Sequence, residues 1–248
     1  MLRPASRPLS SPGSARFPLR ARCLLLVLVL GLIGAGCSGD DTPDDASGAT
    51  VQERLDAAKA VLDDAESINI DLSTDALPDG TVGLLSATGV GNHDPAFDGD
   101  VTVAVAGAQQ DAEVVSVDGE VQAKLGFAPA FVPVDPASLG APDPAAFFDN
   151  ETGVSNFLSS TADPVEGEET RDGEDVLSSI SGTLPGDVVK EVVPTADAGG
   201  TFDVTYALTD DDVLRSARIT GPFYPGAADV SYDLTAEASD EAVTITAP

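Results

Sequence analysis

Cys37 is the residue best placed to do chemistry. It follows Gly34-Ala35-Gly36, which close an unbroken apolar run of 11 residues from Cys23 to Ile33, and five arginines (Arg3, Arg7, Arg16, Arg20, Arg22) precede that run. A basic head, an apolar stretch and small residues in this order make a secretory signal. Eleven residues fall short of the roughly 20 that cross a bilayer as a helix. A cysteine at the cleavage point resembles a bacterial lipobox, with Gly34 standing where such motifs usually carry Leu. The expected chemistry is acylation of the Cys37 thiol and cleavage that makes Cys37 the first residue. Each acyl methylene buried in a membrane contributes about 0.8 kcal/mol, so a multiply acylated cysteine holds a soluble domain at the bilayer.

The remaining candidates for chemistry are weaker. His93 is the only histidine, so a serine triad would have to use it and a His-rich metal site is excluded. It sits in Gly91-Asn92-His93-Asp94, which matches one short motif of metallophosphoesterases, but those enzymes need several further histidines for their two metals. The expectation is a turn ahead of Pro95. Asp94, Asp98 and Asp100, and the run Asp210 to Asp212, offer oxygen ligands without the central Gly and bidentate Glu of a calcium loop, and they read as solvated turns. With Cys23 in the signal and Cys37 acylated, no second thiol remains for a disulfide or for Cys-ligated zinc. No catalytic residue, metal or cofactor is expected, which moves the weight from catalysis to binding.

Charge narrows the partners. All 42 acidic residues follow the cleavage site and only seven of the 12 basic ones do, which leaves the mature chain at −35. Such a surface repels phosphate backbones, so no nucleic-acid partner is expected. The acids are interleaved with periodic Val, Leu and Ile, which argues for a folded, soluble body rather than a disordered one. The boundaries read as residues 1–36 for the signal, 37–49 for the acylated cysteine and a flexible acidic tether, and 50–248 for one domain.

The elements that must position any site follow from periodicity. Thr50-Val51-Gln52-Glu53 has the spacing of a capping box and predicts a helix to about Ser67, with Leu55, Ala58, Leu62 and Ala65 on one face. From Ile68 the period changes to two, and residues 80–126 read as an antiparallel meander with turns at Gly107-Ala108 and Asp118-Gly119. Residues 127–148 carry five prolines, too many for a helix or strand interior, and predict a loop pinned by Phe127, Phe131, Phe147 and Phe148. A short helix is expected over 150–159. Two strands over 162–182, a short helix from Pro185, and strands over 202–208, 213–220, 230–236 and 243–247 make a second meander. The fold class this implies is α+β, a strongly bent antiparallel sheet with helices on its inner face.

Taken in order, the pieces resemble the LppX/LprG (LppX_LprAFG) family of mycobacterial-type envelope lipoproteins. The most specific local likeness runs from Asp143 to Leu158, DPAAFFDNETGVSNFL, which is similar to the family's segment leading into the helix over its cavity. The stretch from Val101 to Gly119 resembles the family's central hairpin. The resemblance covers residues 50–248 and implies a half-barrel whose concave face, with helices packed on it, encloses an apolar cavity for acylated lipids or lipoglycans carried across the cell envelope. It also implies a lipid anchor at the extracytoplasmic face of the membrane, a lipid exporter as partner, and a monomer.

Alternation then nominates the lining: Ile68, Ile70 and Leu72; Val101, Val103 and Val105; Val121, Ala123 and Leu125; and Val204, Tyr206 and Leu208, with Phe131, Phe147, Phe157 and Leu158 near the mouth. Hiding an alkyl chain from water yields about 25 cal/mol per Å² without directional contacts, so such a site leaves little motif behind. The competing reading is a structural or adaptor lipoprotein whose interior is filled by its own side chains and which binds a protein partner.

Overall fold

Thr50 and Glu53 open the first helix as a reciprocal pair. The Thr50 hydroxyl accepts from the Glu53 amide at 3.2 Å and the Thr50 amide donates to the Glu53 carboxylate at 2.7 Å. The computed structural model describes residues 49–126, 128–173 and 175–248. The expected signal, Cys37 and all but the last residue of the tether lie outside the described residues, as does Phe127.

Helix α1 spans Val51–Asp63 and buries Leu55, Ala58 and Leu62. It ends four residues earlier than periodicity suggests, because after the last helical bond, Asp64 amide to Ala60 carbonyl, the Ala65 amide turns back to the Leu62 carbonyl at 3.3 Å and Ser67 already belongs to the first strand. The first meander contains β1 (Ser67–Ser73), β2 (Gly83–Asn92), β3 (Ala96–Val105), β4 (Ala108–Val117), β5 (Glu120–Leu125) and β6 (Val132–Pro133). After α2 (Ser155–Ser160) the second contains β7 (Ala162–Asp172), β8 (Asp175–Pro185), β9 (Thr201–Thr209), β10 (Leu214–Gly221) and β11 (Val230–Ser239), with α3 (Gly186–Val192) between β8 and β9.

The two meanders fuse into one 11-stranded antiparallel sheet, in the order β6-β5-β4-β3-β2-β1-β11-β10-β9-β8-β7. The seam is the pairing of first strand with last, Ile70 opposite Ala236 and Leu72 opposite Leu234. β6 and β7 form the two edges, so the sheet stays open. Solvent-exposed β7 carries Asp163, Glu166, Glu168, Glu169 and Asp172, charges that protect an edge from pairing with other chains.

The differences from the sequence reading have local causes. The first hairpin turn is Ala106-Gly107, one residue earlier than expected, with Val105 opposite Ala108. Both turn residues have positive φ, as do Asp118 and Gly119 in the next turn, the geometry that matches strand twist. α2 starts at Ser155 rather than residue 150, because Asp149 draws the Glu151 and Thr152 amides into a side-chain-capped turn at 2.9 and 2.8 Å. The proline-rich stretch contains two 3₁₀ turns, Pro136–Leu139 and Pro144–Phe148, besides β6. Residues 243–247 form no strand: β11 is already paired on both sides, by β1 and β10.

Leu55, Ala58 and Leu62 of α1, Phe157 and Leu158 of α2, and Val189 and Val192 of α3 join the sheet's buried side chains in one apolar cluster. Arg54 pins α1 to the second meander. Its guanidinium donates to Asp212 at 2.7 Å, to Glu166 at 2.5 Å and to the Thr209 carbonyl at 3.3 Å. Replacing Arg54 with Met leaves those acceptors without their fork, and the expected loss in urea unfolding is about 1–3 kcal/mol. Lysine keeps the charge but not the fork, and should restore less than half of it.

Candidate functional site

Alternation along β1 sends Ile68, Ile70 and Leu72 to one face, while Asn69 and Asp71 are exposed on the other. Register carries that face through the first meander. Ala87 lies opposite Leu72 and Val101, Val101 opposite Ala112, and Ala112 opposite Leu125. Beneath these side chains lies a cavity of about 290 Å³, roofed by the proline-rich segment through Pro136, Leu139, Ala141, Pro142, Pro144 and Phe147. Its wall is apolar except for Gln110, the one polar side chain on it among the described residues.

Of the residues nominated from the sequence, Ile70, Val101, Val103, Val105, Val121, Ala123, Leu125 and Phe147 line this cavity. Leu72 and Phe157 instead face a second void of about 40 Å³, which shares Leu84, Pro142 and Phe147 with the first. Ile68 borders a crevice of about 10 Å³ beside His93. Phe131 is not on the cavity wall, because its ring packs with Lys124, whose ammonium lies 5.7 Å from the ring centroid; Lys124 alternates with Ala123 and Leu125 and so points to the opposite face.

Val204, Tyr206, Leu208 and Leu158 are corrected from pocket to core. They are at most 2% exposed and line none of these voids. The second meander fills its own interior. The rings of Phe202, Phe223 and Tyr232 stack edge to face at 4.9 and 5.0 Å. Tyr206 spans inward to the Thr161 hydroxyl at 2.9 Å, and Tyr224 and Tyr232 chain to the Leu84 carbonyl. Burial pushes the Tyr206 and Tyr232 phenols well above their ordinary range, so both stay neutral hydrogen-bonding groups.

Sequence reasoning missed Leu84, Ala87, Gln110, Ala112, Val114 and most of the roof. β4 reads AQQDAEVVSV, whose alternation is blurred by polar residues, and only its register against β3 reveals Gln110, Ala112 and Val114 as inward. On β2 the inward Gly91 leaves space for a ring: a Cβ there would collide with Phe148, which stacks on Phe97 at 6.1 Å.

His93 lies in the β2–β3 turn. Nδ1 is 2.8 Å from the Phe148 carbonyl and Nε2 is 3.0 Å from the Leu62 carbonyl. It braces the roof against the end of α1, both ring nitrogens being engaged by backbone carbonyls. Among the described residues, no three acidic, histidine or cysteine side chains gather closely enough to hold a metal ion.

Asp149 secures the segment between the roof and α2. Hydrogen bonds from the Thr152 amide, first of all, and from the Thr152 hydroxyl and Glu151 amide hold its carboxyl below the usual carboxylate range against partial burial. A carboxyl with a folded pKa below its unfolded one stabilises the fold above the unfolded value, near 3.9. That contribution is lost as pH falls through the folded value. The stability gap between wild type and Asp149→Ala should be constant near neutrality and close below about pH 4, which urea unfolding at a series of pH values would read; a gap that widens in acid contradicts the assignment.

Comparison with known proteins places this geometry. The model of the LppX_LprAFG lipoprotein family matches residues 48–245. The lipoarabinomannan carrier protein LprG of Mycobacterium tuberculosis is 27% identical over 210 residues, covering 81% of this chain and 85% of the relative, and that of Mycobacterium bovis is similar to the same extent. The crystal structure of LprF from Mycobacterium bovis matches with a TM-score of 0.64 at 18% identity, covering 80% of this chain and 96% of that one. The Mycobacterium tuberculosis lipoprotein LppX matches with a TM-score of 0.54 at 16% identity, covering 79% and 98%. These two likenesses show a shared fold, the half-barrel.

Proposed function

The chain belongs to the LppX_LprAFG lipoprotein family, and from that premise we propose that it is an envelope lipoprotein that takes the acyl portion of a lipid or lipoglycan into the cavity of its first meander and carries it through the cell envelope. The observation that carries the reading is the void itself. A space of about 290 Å³ walled by Val, Ala, Leu, Ile and Pro stands at the low end of the roughly 300–1,000 Å³ usual for ligand sites. A void of that kind is unfavourable to leave empty and is matched by an alkyl chain. The size suits one acyl chain at a time, with the rest of a larger lipid outside. The name of LprG, a lipoarabinomannan carrier, supports the same class of ligand.

In this reading Cys37, acylated, moors the chain to the extracytoplasmic face of the membrane, the acidic tether lifts a single domain off the headgroups, and the helices close the concave face. The protein acts as a monomer, receives its lipid from a membrane exporter, and has no catalytic role. Ile70, Val101, Val103, Val105, Val121, Ala123, Leu125 and Phe147 contact the acyl chain. The test is transfer of a fluorescent-acyl diacylglycerol between vesicles. The expected result is a rate that rises in proportion to protein concentration; transfer no faster than without protein would remove the carrier reading.

A further inference from the structure

The end of the cavity at which a ligand's polar group must sit is visible in the burial of its walls. Val114 and Val121 are buried, whereas Gln110 is exposed and Val132 is 55% exposed although both line the same space. The mouth therefore lies between β4, the end of β5 and the first residues of the proline-rich segment. The Gln110 amide donates to the Gln109 carbonyl at 2.7 Å, which leaves its Oε1 as an acceptor there.

Charge around this mouth is one-sided. Asp135 lies between the lining residues Val134 and Pro136 with its carboxylate capping the Ala137 amide, whereas Asp111, next to Gln110, alternates to the opposite face and accepts from the Thr102 hydroxyl at 2.7 Å. The cation on these strands, Lys124, faces away and is held by Glu113 at 2.9 Å. Elsewhere Arg54, Lys59, Arg215 and Arg218 are each bound to carboxylates. Lys190 donates to the Ala196 carbonyl, and Arg171 is on β7, the opposite edge strand.

We propose that the mouth selects acylated lipids whose polar end is uncharged and carries a hydroxyl, received by Gln110 Oε1, and that it rejects those with a phosphate at the same place. This rests on the carrier reading and names the ligand's headgroup chemistry. A phosphate at the mouth would meet the Asp135 carboxylate and, among the described residues, no unpaired cation, in a molecule of strongly negative net charge.

The experiment compares capture from vesicles of dioleoylglycerol and dioleoylphosphatidylglycerol, which share their tails and differ in the phosphate-bearing group. At about 20 mM salt, dioleoylglycerol should be captured at least tenfold better, and the gap should narrow at about 500 mM salt, where charge screening is strong. Gln110→Lys should raise phosphatidylglycerol capture several-fold. Gln110→Leu should weaken capture of dioleoylglycerol relative to that of oleic acid methyl ester, which has no hydroxyl; an unchanged ratio of the two overturns the hydroxyl contact. Equal capture of the two lipids at low salt, or no gain in the Lys variant, overturns the proposal while leaving the carrier reading intact. Capture of neither lipid and no methyl ester removes both.

Discussion

Replacing Ala123 with tryptophan is expected to cut lipid capture at least tenfold while the protein stays folded. Ala123 pairs with Val114 on one side and Val132 on the other, and its methyl group faces the cavity. An indole at this place enters space the protein's own atoms leave open, so it competes with the ligand rather than with the core. Overpacking of a tight core costs about 1–3 kcal/mol, and here the void should keep the change at or below the lower end of that range. Vesicle capture read beside thermal unfolding separates the two effects. Undiminished capture by a folded variant would mean that lipid does not use this cavity.

Phe147 to alanine should act in the opposite sense. The Phe147 ring stands between the large cavity and the 40 Å³ void bordered by Leu72 and Phe157, and it is 6% exposed. Its removal joins the two spaces. The expected loss of stability is about 3–5 kcal/mol, the usual cost of truncating a buried phenylalanine. If the enlarged hollow accepts a second acyl chain, part of that loss returns when a diacyl lipid is bound. Chemical denaturation with and without dioleoylglycerol should show a larger ligand-induced shift for the variant than for wild type. A variant destabilised to the same degree but with a wild-type shift would show that Phe147 is core and not a partition.

The sheet was legible because its signals are local. The 3.6 period and capping box of α1, the alternation of Ile68 to Leu72 and Phe202 to Leu208, and the positive-φ turn at Asp118-Gly119 each fix their own segment. What was not legible is relational. No local feature marks β1 as the partner of β11, and the same alternation that sends Val101 into open space sends Val204 into a filled core. The difference comes from what stands opposite. Val204 and Leu208 belong to a cluster with the rings of Phe202, Phe223 and Tyr232 and the helix side chains Phe157, Val189 and Val192, and are at most 1% exposed, whereas Val101 and Ala123 line open space. Gln110 escaped notice for a related reason: its inward direction is a property of β4's pairing with β3, and a polar residue on a strand ordinarily reads as facing water.

The central claim is that the first meander keeps its hollow open for an acyl chain, and native mass spectrometry of the protein purified from its bacterial host tests it most directly. The account expects a bound species whose added mass, after gentle release, is that of an acylated lipid, and its loss from Ala123→Trp. A wild-type protein that carries no lipid in its host, and takes none up when offered dioleoylglycerol, would contradict it.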